Sequence, residues 1–540
     1  MPGKTTGVAY KQTPLEDEWD AIVIGSGMGG LTAAALLAQH AGKRVLVLER
    51  HYTAGGFTHT FHRPGYEWDV GVHYIGQVQD PASPIRAAFD HVTEGRLRWN
   101  AMPDVYDQIR IAGRVYEFHS GFERFRDGLV AAFPTESAAI DRYLAAVSSC
   151  VKASNLYFAE KAIPPIAARL AGGLMRVPFL RWASRTSEDV LAGFTTNREL
   201  IGVLTAQWGD YGLPPAQSSF AAHAIIAQHY FNGASYPVGG ASQIAASIAP
   251  AIERTGGKIV VSAEVDRILL DKSGRASGVR MAGGREFRAP VIVSDAGAMN
   301  TFVRLLPSDA PGCAAIAAEI RAIGHSMSYL SLYAGLNKSA ADLGFTGTNI
   351  WVYPTPDHDV NVARFCANPA APFPVVFISF PSAKDPDFLA RHPGHATIEA
   401  ITLAPYRWFS QWEDTRWKHR GAGYDELKRH FTERLCEELE RHVPAVRGHL
   451  EHAEISTPLS TRHFSNYQAG EAYGLNVTPA RFRLGSLSVR TPVRNLFLTG
   501  QDAGLLGVTG AMFGGVTAAS AILGRNLAAK VTRPVAVQAA

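Results

Sequence analysis

The chain has 540 residues, of which 46% are hydrophobic, 19% charged and 10% aromatic, an ordinary globular composition that can bury a large core. Its 52 basic and 48 acidic residues give a formal net charge of +4, too balanced to attract nucleic acid across the whole surface. The four scattered cysteines, Cys150, Cys313, Cys366 and Cys436, exclude a short-range disulfide framework or a cysteine-pair metal site and fit a reducing, cytoplasmic compartment.

Residues 1–17 are a polar lead-in without the apolar stretch of a secretory signal. Together with the tail 531–540 they are expected to be flexible. Residues 19–24 form a short apolar run ending at Gly25, 31–39 are rich in the helix formers Ala and Leu, and 44–48 are a second apolar run ending at Glu49. This pattern predicts strand, tight turn and helix, a C-cap at Gly42, and a second buried parallel strand. Residues 258–281 alternate β-branched and polar side chains around Asp271-Lys272-Ser273-Gly274, which predicts an antiparallel hairpin, and 289–294 read as a further strand. A last short strand at 495–499 leads through a glycine-rich turn into a helix ending near Asn526. The uncharged stretch 503–524 has the length of a membrane span, but its six glycines, with several Thr and Ser, make it too polar for one.

The expected fold class is therefore α/β, with a discontinuous Rossmann-type domain built from 18–105, 229–305 and 456–530 and an interleaved α+β substrate domain from 106–228 and 306–455. In the first segment, Gly25, Ser26, Gly27, Met28, Gly29 and Gly30 supply G-x-G-x-x-G at the strand-to-helix turn. Gly25 permits the turn, Gly27 lets the backbone approach a pyrophosphate, and Gly30 lets helix and strand pack closely, so that phosphates meet the helix N-terminus. Glu49 stands where a carboxylate accepts hydrogen bonds from a ribose diol. The unit by itself serves NAD or FAD equally.

Arg50, the paired glycines Gly55 and Gly56, and then Trp68-Asp69-Val70-Gly71 resemble the second signature of the flavin-containing amine oxidase and phytoene desaturase superfamily, where this loop lies along FAD. Three blocks, 54–76 (AGGFTHTFHRPGYEWDVGVHYIG), 229–240 (HYFNGASYPVGG) and 496–515 (LFLTGQDAGLLGVTGAMFGG), are similar to its retinol saturase and carotenoid isomerase branch, and weaker likeness spans 20–526. The resemblance implies FAD, with Gly500 and Asp502 at the ribityl and pyrophosphate and Val265 at the adenine end through its backbone. It places Val508, Thr509, Gly510 and Ala511 at a helix end facing the isoalloxazine, where the dipole stabilises negative charge on the reduced ring. Asp502 has a second reading, as a carboxylate that simply favours the helix dipole. Phe57-Thr58 depart from the two cysteines that follow the paired glycines in retinol saturases, and no apolar leader like theirs precedes the first strand.

The resemblance further implies reduction of a carbon–carbon double bond in a conjugated polyene lipid, a retinoid or carotenoid. Desaturation and cis-trans isomerisation are its alternatives, and a non-redox lipid carrier of the GDP-dissociation-inhibitor type is the alternative from another class. A polyene needs a long apolar tunnel and exclusion of water. Tyr406, Trp408, Phe409, Trp412 and Trp417, and the stretch from Tyr329 to Tyr333, suit either that tunnel or a plain core. His73, Tyr74 and Tyr473 are candidate proton donors, with a structural role equally open to His73. His51, His59, His62 and His73 lack a cysteine pair or an HExxH arrangement, so no metal is expected. In 161–185 the charged residues Lys161, Arg169, Arg176, Arg181 and Arg185 are all basic and alternate with apolar residues such as Ile163, Leu170, Leu174 and Val177. That segment reads as a peripheral contact with an anionic membrane, or as a solvated helix pair broken by Pro164, Pro165 and Pro178. No second nucleotide motif identifies the electron donor.

Overall fold

The computed structural model describes residues 5–162 and 165–534. Six strands form a parallel nucleotide sheet in the order Val8–Ala9, Lys258–Val261, Val45–Leu48, Ala21–Ile24, Ile292–Ser294, Leu496–Leu498. Its central strands are buried at every position, which is why they read as unbroken apolar runs: a parallel sheet covered on both faces has no solvent side to encode. Ile22 pairs in register with Leu46 on one side and Ile292 on the other, so three distant segments become one sheet.

The helix Met28–Ala41 packs against the helix Gly507–Leu523. Their approach leaves no room for side chains, because a Cβ on Gly515 would stand 2.4 Å from the Gly29 carbonyl oxygen and one on Gly514 would stand 2.7 Å from that of Gly500. Of the six glycines that made 503–524 too polar for a bilayer, Gly504, Gly510, Gly514 and Gly515 are thus explained by close approach of backbone, whereas Gly507 and Gly524 adopt the left-handed φ in open space. Among the described residues no helix is long and apolar enough to cross a membrane. Gly42 closes the first helix in the left-handed conformation, as expected, donating its N–H to the Ala38 carbonyl.

Two expectations need correction. Lys258–Val261 is not part of the hairpin; it lies parallel to Val45–Leu48, and the hairpin is Val265–Leu270 with Ala276–Met281. Alternating hydrophobicity does not by itself say which partner a strand takes. The lead-in also carries regular structure: Val8 and Ala9 pair with Val260 and Val261, and Leu15 is buried. Backbone pairing along a sheet edge needs no apolar side chains, so the sequence gives little sign of it. Val531, in the tail, is fully buried in the same core.

The second sheet has seven strands in the order Leu450–Ser456, Ser328–Leu336, Ala396–Ala404, Val376–Ser379, Asn349–Tyr353, Val105–Ile111, Arg114–His119. Here the period of two is plain: Tyr329, Ser331 and Tyr333 face a large cavity, while Leu330, Leu332 and Ala334 point into the core on the other side. The hairpin Thr60–Arg63 with Tyr66–Asp69 lies early in the chain beside the nucleotide segment but packs on this second sheet, with Trp68 Nε1 donating to the Ala334 carbonyl at 3.0 Å. Overpacking a closed contact costs about 1–3 kcal/mol. Gly515→Ala is therefore expected to lower the urea midpoint by that equivalent, whereas Gly524→Ala, with nothing within 4 Å of its Cβ, tests the cost of the left-handed φ alone.

Candidate active site

A single cavity of about 2020 Å³ runs between the two sheets, twice the roughly 1,000 Å³ upper range of ordinary ligand pockets. One end is the glycine cradle. Gly25, Gly27, Glu49, Arg50, Gly55, Gly56, Val265, Gly500, Val508, Thr509, Gly510 and Ala511 all line it, as do His73, Tyr74 and Tyr473. The first turn of the helix from Gly507 opens onto this space, so its free N–H groups face the cavity.

Ser26, Gly29, Gly30 and Asp502 stand behind that wall and do not line it. Ser26 donates its N–H and hydroxyl to Glu49 Oε2 at 2.8 and 2.7 Å and accepts from the Gly55 N–H at 3.1 Å. Together with the bond from His51 N–H to Glu49 Oε1 at 2.7 Å, this makes Glu49 the clamp joining both glycine loops. A carboxylate accepts at about four sites, so Glu49, which lines the cavity, keeps one in reserve. Gly29 and Gly30 are required by packing, since a Cβ would stand 2.5 Å from Gly500 N and 2.4 Å from the Gly25 carbonyl oxygen. Asp502 accepts from the N–H groups of Ala298 at 2.8 Å and Leu475 at 3.0 Å, and the helix begins five residues later at Gly507. It ties these loops together from behind the cavity wall. Arg50 pairs with Glu264 at 3.1 Å and donates to the His463 carbonyl.

Asp295 is the residue that sequence reasoning missed. It follows the strand Ile292–Ser294, and a Cβ on Gly27 would lie 2.5 Å from its Oδ2. The absence of a side chain at Gly27 therefore serves Asp295 directly. Burial raises its carboxyl to about 8, Glu49 and Asp502 adding to the rise and the N–H groups of Gly30 and Gly27 opposing it. The available signal was an acidic residue at the carboxyl end of a parallel strand, the edge where open α/β sheets bind ligands.

At the other end the cavity is walled by Trp351, Phe377, Tyr329, Tyr473 and Ile401. Of the aromatic cluster near residue 410 only Trp417 reaches it; Tyr406, Trp408, Phe409 and Trp412 pack in the core against the helix Ala422–His442. Lys161 is not available to a membrane either, because its ammonium is buried and donates to the Leu487 carbonyl at 2.8 Å, and Arg176 pairs with Glu160. Ile163 and Pro164, and the side chains of Arg169 and Leu170, lie outside the described residues. His51 and His59 have ring centres 4.5 Å apart, while His62 meets Glu67 and His392 in a group with the spacing of cation ligands. Arg391, 3.4 Å from Glu67, already brings positive charge there.

Beside the cavity lies a buried polar network. His73 Nδ1 is 2.7 Å from Glu399 Oε2, and among the described residues neither atom has another partner. Lys384 donates to the His73 carbonyl at 3.0 Å and Ser379 Oγ at 2.8 Å, and burial lowers its ammonium to about 8 against the pull of Glu399, Asp107 and Asp69. Burial also raises Glu399 to about 8 and lowers His73 to about 4, which favours the neutral form of each.

A family model described as NAD(P)-binding Rossmann-like domain matches residues 23–92. The solved structure of cyclohexylamine oxidase from Brevibacterium oxydans IH-35A, 20% identical, is similar over 95% of this chain and 98% of its own with a TM-score of 0.57. The family model and this likeness define a protein with a Rossmann-like nucleotide-binding domain and the fold of the amine oxidases. The all-trans-retinol 13,14-reductase of Danio rerio is 38% identical over 98% of this chain and 90% of its own. Prolycopene isomerase 1 of an Oncidium hybrid cultivar is 27% identical over 85% and 75%. The chain belongs to the all-trans-retinol 13,14-reductase family.

Glu399, raised in the folded protein, stabilises fully below its ordinary value of 4.5 and loses that contribution as pH rises through about 8. His73, lowered, acts oppositely: its contribution is present above 6.5 and lost as pH falls toward 4. Glu399→Gln keeps the neutral shape and is expected to flatten the decline in urea midpoint between pH 5 and 8. An unchanged slope would mean that Glu399 is already ionised.

Proposed function

We propose that this chain binds FAD and reduces one carbon–carbon double bond of a conjugated polyene lipid of retinoid or carotenoid type. The observation that carries this reading is the continuity of the cavity, from a glycine cradle suited to a dinucleotide to an aromatic wall suited to an apolar chain. Membership of the retinol reductase family supports the reaction class.

FAD would be held by Gly25, Gly27, Glu49, Arg50, Gly55, Gly56, Val265, Gly500 and the turn Val508, Thr509, Gly510, Ala511. The hydroxyls of Thr499 and Thr509 fit such a ligand: both residues line the cavity, and both Oγ1 atoms are buried without a partner among the described residues. Bound and reduced, FAD supplies a hydride for one alkene carbon. The chain's own residues do the rest. Trp351, Phe377, Tyr329 and Tyr473 orient the polyene and keep out water, and the buried network beside them manages protons.

Leu174 and Val177, on the helix Pro165–Ala183, are 82% and 61% exposed. That helix packs on Ser137–Ala162, whose Ser154 and Phe158 line the cavity. This supports a membrane surface as the source of the polyene.

The purified protein, reduced chemically without oxygen and offered a polyene panel, is expected to yield a product heavier by two hydrogens. An unchanged mass with altered geometry, or loss of two hydrogens by the oxidised enzyme, would replace the proposed reaction by isomerisation or desaturation. A colourless protein that takes up no added FAD would leave a lipid carrier instead.

A further inference from the structure

Tyr74 Oη lies 3.1 Å from Asp107 Oδ2 and 3.1 Å from Asp210 Oδ2. A hydroxyl has one proton to donate, so it serves one carboxylate at a time. With both carboxyls ionised, the other oxygen–oxygen contact would hold no hydrogen, and a buried charge would stand unpaired. The arrangement is satisfied when one carboxyl keeps its own proton and donates it to Tyr74 Oη.

The neighbours decide which one. Asp107 accepts from Asn349 Nδ2 at 2.9 Å and Gln207 Nε2 at 2.9 Å and feels the Lys384 ammonium. Among the described residues Asp210 has only Tyr74. Burial, and after it the charge of Asp107, push the Asp210 carboxyl up to about 8. Asp107 is the anion and Asp210 the acid. Asp210 also lines the cavity, whereas Asp107 is fully buried and does not.

We propose that Asp210 is the general acid of this site, held neutral by the Tyr74–Asp107 pair and presented to the polyene. The proposal rests on the reductase reading above. In the step, the Asp210 O–H bond breaks and a C–H bond forms at one alkene carbon, while the neighbouring carbon takes the hydride from reduced FAD. The π bond is lost, two hydrogens are gained, and Asp210 is left as a carboxylate that regains its proton from water admitted as product leaves. The groups expected from the sequence are less suited. Burial raises the Tyr74 and Tyr473 phenols well above 10, and His73 has lost its extra proton by about pH 4, whereas an efficient acid titrates near the working pH.

Asp210→Asn keeps the shape and cannot donate a proton to carbon. In the reduced holoenzyme it is expected to slow polyene-driven flavin reoxidation by about 100-fold or more, the usual size of a general-acid contribution. FAD content and reoxidation by oxygen stay unchanged, and Asp210→Glu recovers part of the rate. Independently of activity, infrared spectra of the wild type at neutral pH should contain a protonated-carboxyl band that Asp210→Asn lacks and that titrates away near pH 8. A full reduction rate in Asp210→Asn, or no band lost on substitution, overturns the proposal. If the wild type reduces no polyene, the reductase reading falls, and the infrared band still decides whether Asp210 is protonated.

Discussion

The structure depends on one close approach, between the glycine turn near the N-terminus and the glycine-rich segment near the C-terminus. Gly29 meets Gly500, and Gly515 meets Gly29, at distances that exclude even a methyl group. Backbones this near leave no gap for water and bring the first turns of two helices to one cavity. The chain between them is long, and the entropy of closing it is opposed by burial of the central parallel strands together with their covering helices.

What could be read beforehand follows from this. The strands around Ala21–Ile24 and Val45–Leu48, the glycine turn, Glu49 and the helix after Gly507 are local patterns with local causes. Asp295 and Asp210 were not legible, because each acquires its role from residues far along the chain: Asp295 from Gly27, Asp210 from Tyr74 and Asp107. The aromatics near residue 410 show the converse. Their density suggested a tunnel, yet an aromatic side chain satisfies a core as well as a cavity, and only the register of the second sheet separates the two uses. Tyr329 and Tyr333 face the ligand space because an even number of positions separates them; Leu330 and Leu332 are out of phase and do not.

Buried carboxyls gather beside the cavity. Asp69, Asp107, Asp210 and Glu399 all have raised values with burial as the first cause, and Lys384 is the ammonium in their midst. One cation cannot balance four anions in a medium of low polarity, so protons must remain on most of these acids. The site thereby stores acidity at neutral pH without exposing charge to an apolar ligand.

The short strand Val8–Ala9 has an effect beyond its two residues. It covers the outer side of Val260 and Val261, which would otherwise offer unpaired amide and carbonyl groups to any extended peptide. The polar lead-in is thus a built-in guard against sticking, and it shields a row of donors and acceptors from other molecules at almost no expense in apolar surface.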